Sequence, residues 1–475
     1  MRRKKERIRE SKGIKMSKRK SEEEKNYRLT EYFHNLLKRR INFRVTRDEI
    51  KDIISSVDFL VETLVAKITS KVAWLPFSRV VRVGSMAEGT SVGQPNEFDY
   101  LAVLKIEQSG IEVERTCENR RGYAHVKITD PYLRTIWGKW MDGEYLKSDF
   151  TRGDSDMLSN YFDTLGNAFQ LEVSNVLQDY DERLVCKTNI GEMKSETIFI
   201  CDVKKHGPAF TPKFVWKSKR SGEKITMGVD ITPAIEIDIS TDIISAKDTF
   251  DPRFFSKVEE HGKCLLISCR NNASCEARQC FCLAFTLSEV ELVRGLSQHH
   301  KDCYKLLKYI FNSRHGYTFF PSYAWKTLVL KHSCHCDETE NLAVCFKQLV
   351  AACLHYMFNR KTEEKIEFSR IARVFMPGEK FVLNIPSVFF KQHNILDSKD
   401  YKFPCEQFLQ EIEIMLRSLE GISCRETTEV DDRSLKIVNS RVTGAEAYVS
   451  TLPLPKFLPF VKSNTDLTQC LEDIL

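Results

Sequence analysis

The sequence predicts an α+β, two-lobed fold, in which a mixed β-sheet lobe with a long spine helix packs on a helical C-terminal lobe. Three features predict it. Between Arg47 and Lys71, apolar residues including Ile50, Ile53, Val57, Leu60, Leu64 and Ile68 recur at spacings of three and four, the pattern of one long amphipathic helix. From Glu97 to about residue 240 the pattern changes to alternating or continuous β-prone runs. From Thr286 onward helical spacing returns.

Each element has a local reason. Residues 1–25 are rich in Lys, Arg and Glu and lack aromatics, which predicts a disordered basic leader. The long helix opens with Thr46-Arg47-Asp48-Glu49, placing Thr46 as N-cap and Glu49 at the third helical position, a capping box. The stretches EFDYLAVLKI, HVKI, RLVCKTNI, SETIFICDVKK and KITMGVDITPAIEIDIS read as strands, so residues 26–250 form the sheet lobe. LSEVELVRGL, CYKLLKYIFN, PSYAWKTLVLKHS and NLAVCFKQLVAACLHYMFNRK read as helices of a lobe spanning residues 251–425. Residues 426–475 mix charged and Pro-containing segments and carry no functional reading.

Composition narrows the class. Of the 475 residues 42% are hydrophobic and 29% charged, and there is no apolar run of about 18 residues that would cross a bilayer. The N-terminus lacks the apolar core of a secretory signal, so a cytoplasmic protein is expected, with the nucleus left open. The 16 cysteines are then expected as reduced thiols. Cys269, Cys275, Cys280 and Cys282 cluster, and HHKDC and KHSCHC offer more ligand types, yet none shows a paired CxxC spacing, so no structural zinc is expected. Residues 1–40 hold 16 Lys and Arg against 6 Asp and Glu, while the rest holds 56 against 60. The basic charge is thus concentrated at the N-terminal end, where it suits a polyanion.

The chemistry is concentrated in VGSMAEGTSVGQPNEFDYLAVL. Glu97 and Asp99 flank Phe98 at the start of a strand and so share one face. Two acids on one face repel each other and lose hydration unless a cation compensates them, which points to a divalent metal. Upstream, Gly84-Ser85 precedes a Glu88-Gly89-Thr90 turn and would open a short helix whose amides, with the Ser85 hydroxyl, hold a triphosphate. Together the two features form a nucleotidyltransferase signature, with Mg²⁺ or Mn²⁺ as cofactor. A third carboxylate is expected from MGVDITPAIEIDIS: Asp230 if its strand lies beside that of Asp99, with Glu236 and Asp238 as alternatives whose ordinary role is to charge an edge strand.

In order along the chain, RVTRDEI, Gly84-Ser85, PNEFD, GPA (Gly207 to Ala209), VDIT (Val229 to Thr232), FTLSEVELV, KDCYKLLKYI and PSYAWKT resemble the cyclic GMP-AMP synthase-like receptors of animals, over roughly residues 38–390. That resemblance implies a nucleotidyltransferase lobe packed on a helical lobe, the active site between them, and a cyclic dinucleotide made from ATP and GTP in innate immune signalling. It implies Glu97, Asp99 and Asp230 as metal ligands and Gly84 and Ser85 as the triphosphate contact. It further implies nucleotide contacts by Thr286, Glu289, Lys308, Ser322, Tyr323 and Lys326, with Tyr323 stacking on a base.

Departures from the vertebrate pattern qualify the activating ligand. The zinc-binding thumb that precedes the KDC-like helix in vertebrate members is missing, since RGLSQHHKDC runs directly into that helix. Its absence favours double-stranded RNA over DNA. Lys38, Arg39, Arg40, Arg44, Arg47 and Lys51 are the expected nucleic-acid surface, and a ligand-induced oligomer is compatible with the family. Cys282 falls where a base-stacking arginine is expected, and Val83 where vertebrates carry threonine, so the two bases and the linkage stay open. A family member that has lost catalysis and serves as a scaffold, and a synthase of linear oligonucleotides, are the competing readings.

Overall fold

The computed structural model describes residues 20–21, 23–115, 122–147, 184–190, 193–206, 209–240, 243–244, 249, 251–268, 280–312, 322–336, 341–358, 381–382 and 402–403. The leader through residue 19, Gly207 and Pro208, Cys269, Cys275 and the extension 426–475 lie outside them. By its contacts the chain divides into two units, Asn42–Leu296 forming the body of one, and the residues up to Ile41 with those from Ser297 forming the body of the other.

The helical unit starts with α1 (residues 23–36), which runs into a π-helical turn, Leu37–Ile41. This helix reaches back into the stretch expected to be disordered. Its apolar side explains why: Leu29, Tyr32, Phe33 and Leu36 are buried, and the Phe33 ring lies 4.8 Å from that of Phe346.

The sheet unit opens with α2 (Arg47–Lys71), which has the expected bounds and cap. Thr46 Oγ1 accepts from the Glu49 amide at 3.3 Å and Glu49 Oε2 accepts from the Thr46 amide at 2.9 Å. There follow β1 (Phe77–Val83), α3 (Gly84–Glu88), β2 (Glu97–Leu104), β3 (Ile111–Arg115), β4 (Tyr123–Ile128) and α4 (Pro131–Trp137). The chain continues through β5 (Met141–Asp142), β6 (Tyr145–Leu146), β7 (Val185–Ile190), β8 (Met193–His206), β9 (Ala209–Ser218) and β10 (Lys224–Asp238). Then come α5 (Pro252–His261), β11 (Lys263–Ser268), β12 (Cys280–Ala284) and α6 (Thr286–Gly295). The strands β1 to β12 make one mixed sheet.

β10 is the hub of that sheet. Its first half pairs antiparallel with β9, its second half antiparallel with β11, and its middle runs parallel to β2. α2 packs over β1, β7, β8 and β9. The helix is fastened to the sheet by two carboxylates, Asp52 and Asp58. Asp58 accepts from Arg82 at 2.9 Å and from the Tyr100 hydroxyl at 2.7 Å, and burial together with Asp58 raises the Tyr100 phenol far above its ordinary range. Asp52 is fully buried and accepts from the Thr188 and Ser195 hydroxyls and from Trp216 Nε1 at 2.7 Å.

The helical unit is completed by α7 (Gln298–Asn312), α8 (Ser322–Ser333) and α9 (Leu342–Phe358), which pack on one another. Thr30 Oγ1 accepts from the Ala343 amide at 3.1 Å, tying α1 to the start of α9. No helix among the described residues is long and apolar enough to cross a membrane.

Asp52 supplies the test of the spine helix. Asp52→Ala removes the acceptor shared by Thr188, Ser195 and Trp216, leaving the two hydroxyls only each other at 2.6 Å and the buried Trp216 Nε1 without its carboxylate, so it is expected to cost on the order of 3 kcal/mol in denaturant unfolding. A loss below about 1 kcal/mol would show that the network does not anchor α2.

Candidate active site

The open face of the sheet is set by alternation. In β2, Phe98 and Tyr100 point into the core while Glu97 is exposed and Asp99 half-buried. In β10, Val229 and Ile231 are buried while Asp230 between them is half-buried. Parallel pairing then fixes the acids relative to one another, because register partners in adjacent strands point to the same face. Asp99 is paired with Asp230, and Glu97 with Gly228. The three predicted carboxylates therefore share one face at one point of the sheet, with Glu97 lying over a residue that has no side chain.

The other expected acids are engaged elsewhere. Glu236 forms an ion pair with Arg79, and Asp238 with Lys263. Both lie toward the far end of β10, on the part that pairs with β11.

Two neighbours position the acids: Thr211, which was not legible as a site residue, and Gly84, expected as a triphosphate contact but not as a neighbour of Asp99. Thr211, on β9, donates from Oγ1 to Asp230 Oδ1 at 2.5 Å. It stands in AFTPKFVWKS, where Pro212 breaks the look of a central strand. The second is Gly84, whose contact with Asp99 follows from the antiparallel pairing of Val83 with Asp99. Gly84 has a φ of +67°, and a Cβ there would stand 2.0 Å from Asp99 Oδ2. Glycine is thus required twice, by backbone conformation and by the carboxylate against it.

Ser85 is half-buried in the first turn of α3, beside this contact. α3 is braced by α6, since Arg294 Nε donates to the Ala87 carbonyl at 2.6 Å. Val83, Ala87, Leu101, Val103, Ala234, Leu265 and Val290 form one apolar cluster beneath it. α6 also carries Thr286 and the buried Glu289. Cys282, at the position expected for a base-stacking arginine, has its thiol raised to about 12 by burial and by Glu289, so it offers an uncharged surface.

The remaining predicted nucleotide contacts lie together in the helical unit. Lys308 Nζ sits 5.5 Å from the Tyr304 ring, and the Tyr304 hydroxyl donates to the Ser322 carbonyl at 3.1 Å. Lys326 Nζ lies 4.7 Å from the ring of Tyr323, which is 37% exposed. Of the expected polyanion contacts, Lys38 and Arg39 are exposed and Arg40 half-buried on the π-helical turn. Arg44 is exposed in the connection, and Arg47 and Lys51 are exposed on the first turns of α2, Lys51 at 3.6 Å from Asp48.

The donor set of the acidic cluster is all carboxylate oxygen, on an accessible face, and so fits a hard divalent cation such as Mg²⁺ or Mn²⁺. Residues 86–293 match the family described as Mab-21 protein nucleotidyltransferase domain, a span that includes Glu97, Asp99, Asp230, Thr286 and Glu289. This part of the chain is a nucleotidyltransferase domain. Over 400 residues the chain is 24% identical to cyclic GMP-AMP synthase of Sus scrofa, an alignment covering 76% of this chain and 70% of that protein. The chain is thus similar to cyclic GMP-AMP synthase and carries a nucleotidyltransferase domain of the Mab-21 type.

Gly84 and Gly89 separate strain from chemistry. Both have positive φ, but an added Cβ at Gly89 meets nothing within 4 Å. Alanine at either position should cost about 1–2 kcal/mol of backbone strain. Only Gly84→Ala is expected to lose nucleotide transfer by more than about 100-fold, read as kcat beside thermal melting, because only it displaces Asp99. Equal loss of activity in the two variants would refute the contact's role.

Proposed function

We propose that this chain joins ATP and GTP into a cyclic dinucleotide, cyclic GMP-AMP or a related product, on sensing double-stranded RNA, and that the product signals in innate immunity. The observation that carries the reading is the pairing of Asp99 with Asp230 across parallel strands, with Glu97 on the same face. The likeness to cyclic GMP-AMP synthase supports the cyclic product.

Glu97, Asp99 and Asp230 would hold Mg²⁺ or Mn²⁺. When bound, such ions neutralise phosphate charge and align the attacking and leaving oxygens. In this reading Ser85 and the α3 amides grip the triphosphate of the donor nucleotide. Asp230, steadied at Oδ1 by Thr211, accepts the proton of the acceptor hydroxyl as that oxygen attacks the α-phosphorus and pyrophosphate leaves. The linear dinucleotide then reverses in the site and closes by the same step. Thr286, Glu289, Lys308, Ser322, Tyr323 and Lys326 serve as nucleotide contacts, Tyr323 by stacking.

Double-stranded RNA is assigned to Lys38, Arg39, Arg40, Arg44, Arg47 and Lys51. Recognition of an A-form duplex rests on phosphates and 2′-hydroxyls, so it depends on length more than on sequence. α2 leads through β1 directly to Gly84, which provides a covalent route from that surface to the phosphate-gripping turn.

The test is to incubate the purified chain with all four nucleoside triphosphates, with and without duplex RNA or DNA, and to identify products by nuclease digestion and mass. RNA-dependent cyclic product is expected; a linear product, or none under any condition, would overturn the reading. Asp99→Asn and Asp230→Asn should abolish synthesis with melting unchanged, whereas Glu236→Gln should retain it. Reversing Arg40, Arg44 and Lys51 to Glu should remove RNA stimulation and flatten the salt dependence of binding. An unchanged salt slope would place the RNA elsewhere.

A further inference from the structure

The helical unit contains a second constellation, separate from the residues assigned to nucleotide transfer. His300 is buried on the first turn of α7, His332 lies on the last turn of α8, and Cys336 follows it in the connection to α9. One ligand atom from each of the three lies within 4.8 Å of the other two. The His300 and His332 rings meet at 77° with centroids 5.5 Å apart, an edge-to-face arrangement.

Three details go beyond proximity. His332 Nε2 is buried and has no hydrogen-bond partner among the described residues. Such an orphaned polar atom costs about 1–3 kcal/mol unless a ligand satisfies it. His300 Nδ1 is held at 3.1 Å from Ser297 Oγ, which orients the ring as a second partner orients a metal-bound imidazole. Cys345, on the first turn of α9, places its Sγ 3.7 Å from that of Cys336. Two thiolates on a tetrahedral zinc, with Zn–S bonds of about 2.3 Å, stand about 3.8 Å apart. His299 Nε2 lies a further 3.1 Å from Cys345 Sγ.

We propose that His300, His332, Cys336 and Cys345 form a structural zinc site that clamps the start of α7, the end of α8 and the start of α9. Two imidazoles and two thiols select zinc over the hard cations suited to the carboxylate site. Binding takes the two thiols to thiolates, releases their protons to solvent and changes no oxidation state. The clamp fixes the helices that carry Lys308, Ser322, Tyr323 and Lys326. Spacing along the chain conceals it, because the ligands come from three helices and a connection, and the CxxC pair that advertises most zinc sites is absent. The expectation of no structural zinc rested on that spacing and on the missing thumb, both of which are properties of order along the chain.

The test uses the full chain purified in reductant without chelator. Elemental analysis after dialysis should find one zinc per chain, and cobalt exchange should give tetrahedral visible bands with a thiolate charge-transfer band. Cys336→Ser and His332→Ala should lose the metal and lower Tm by more than about 5 °C. Cys334→Ser should keep it, since that thiol faces the Leu330 carbonyl at 3.3 Å. If the ligand variants do not fold, the cobalt spectrum of the unaltered chain decides alone. Absence of zinc with an octahedral cobalt spectrum, a Cys336–Cys345 disulfide, or full zinc retention by Cys336→Ser would overturn the proposal.

Discussion

The structure of the site depends on one backbone constraint, the parallel register of β2 against β10. A one-residue slip would turn Asp230 into the core and bring Val229 or Ile231 to the open face, because strand side chains alternate. Burial of Phe98, Val229 and Ile231 on the other face opposes that slip, so the hydrophobic core itself holds two carboxylates side by side. That juxtaposition is electrostatically costly in isolation. It is sustained by the rest of the sheet: β9 contributes Thr211 to Asp230, and β1 brings Gly84 against Asp99.

The residues proposed for nucleotide transfer fall in both units. The sheet unit carries the acids, the Gly84-Ser85 turn, Thr286 and Glu289, and it braces the turn through Arg294 and one apolar cluster. The helical unit carries cation and aromatic pairs, Lys308 with Tyr304 and Lys326 with Tyr323, suited to phosphates and bases. Its proposed zinc clamp would serve a different purpose from the ions at the carboxylates, holding three helix ends where a small helical unit has limited core.

Much of this was legible in the sequence, and for definite reasons. The cap and bounds of α2 follow from Thr46, Glu49 and the apolar spacing, which are local properties. The shared face of Glu97 and Asp99 follows from strand alternation. What was not legible is what depends on pairing between distant strands: that β10 lies parallel to β2, that Thr211 reaches Asp230, and that Gly84 leaves room for the Asp99 carboxylate. Nothing in the helical spacing singles out Asp52 and Asp58, yet they fasten the helix to the sheet through partners up to 164 positions away. The helix in residues 23–36 was hidden by charge, since its ordering comes from Phe33 packing on Phe346.

The account stands most directly on whether Glu97, Asp99 and Asp230 hold divalent ions as one set. Mn²⁺ binding measured by electron paramagnetic resonance, with a non-hydrolysable nucleoside triphosphate present, reads this without relying on turnover. The account predicts a spin-coupled pair of ions in the unaltered chain, reduced to weak single-ion binding by Asp230→Asn and retained by Glu236→Gln. Unchanged binding in Asp230→Asn, or its loss in Glu236→Gln, would contradict it.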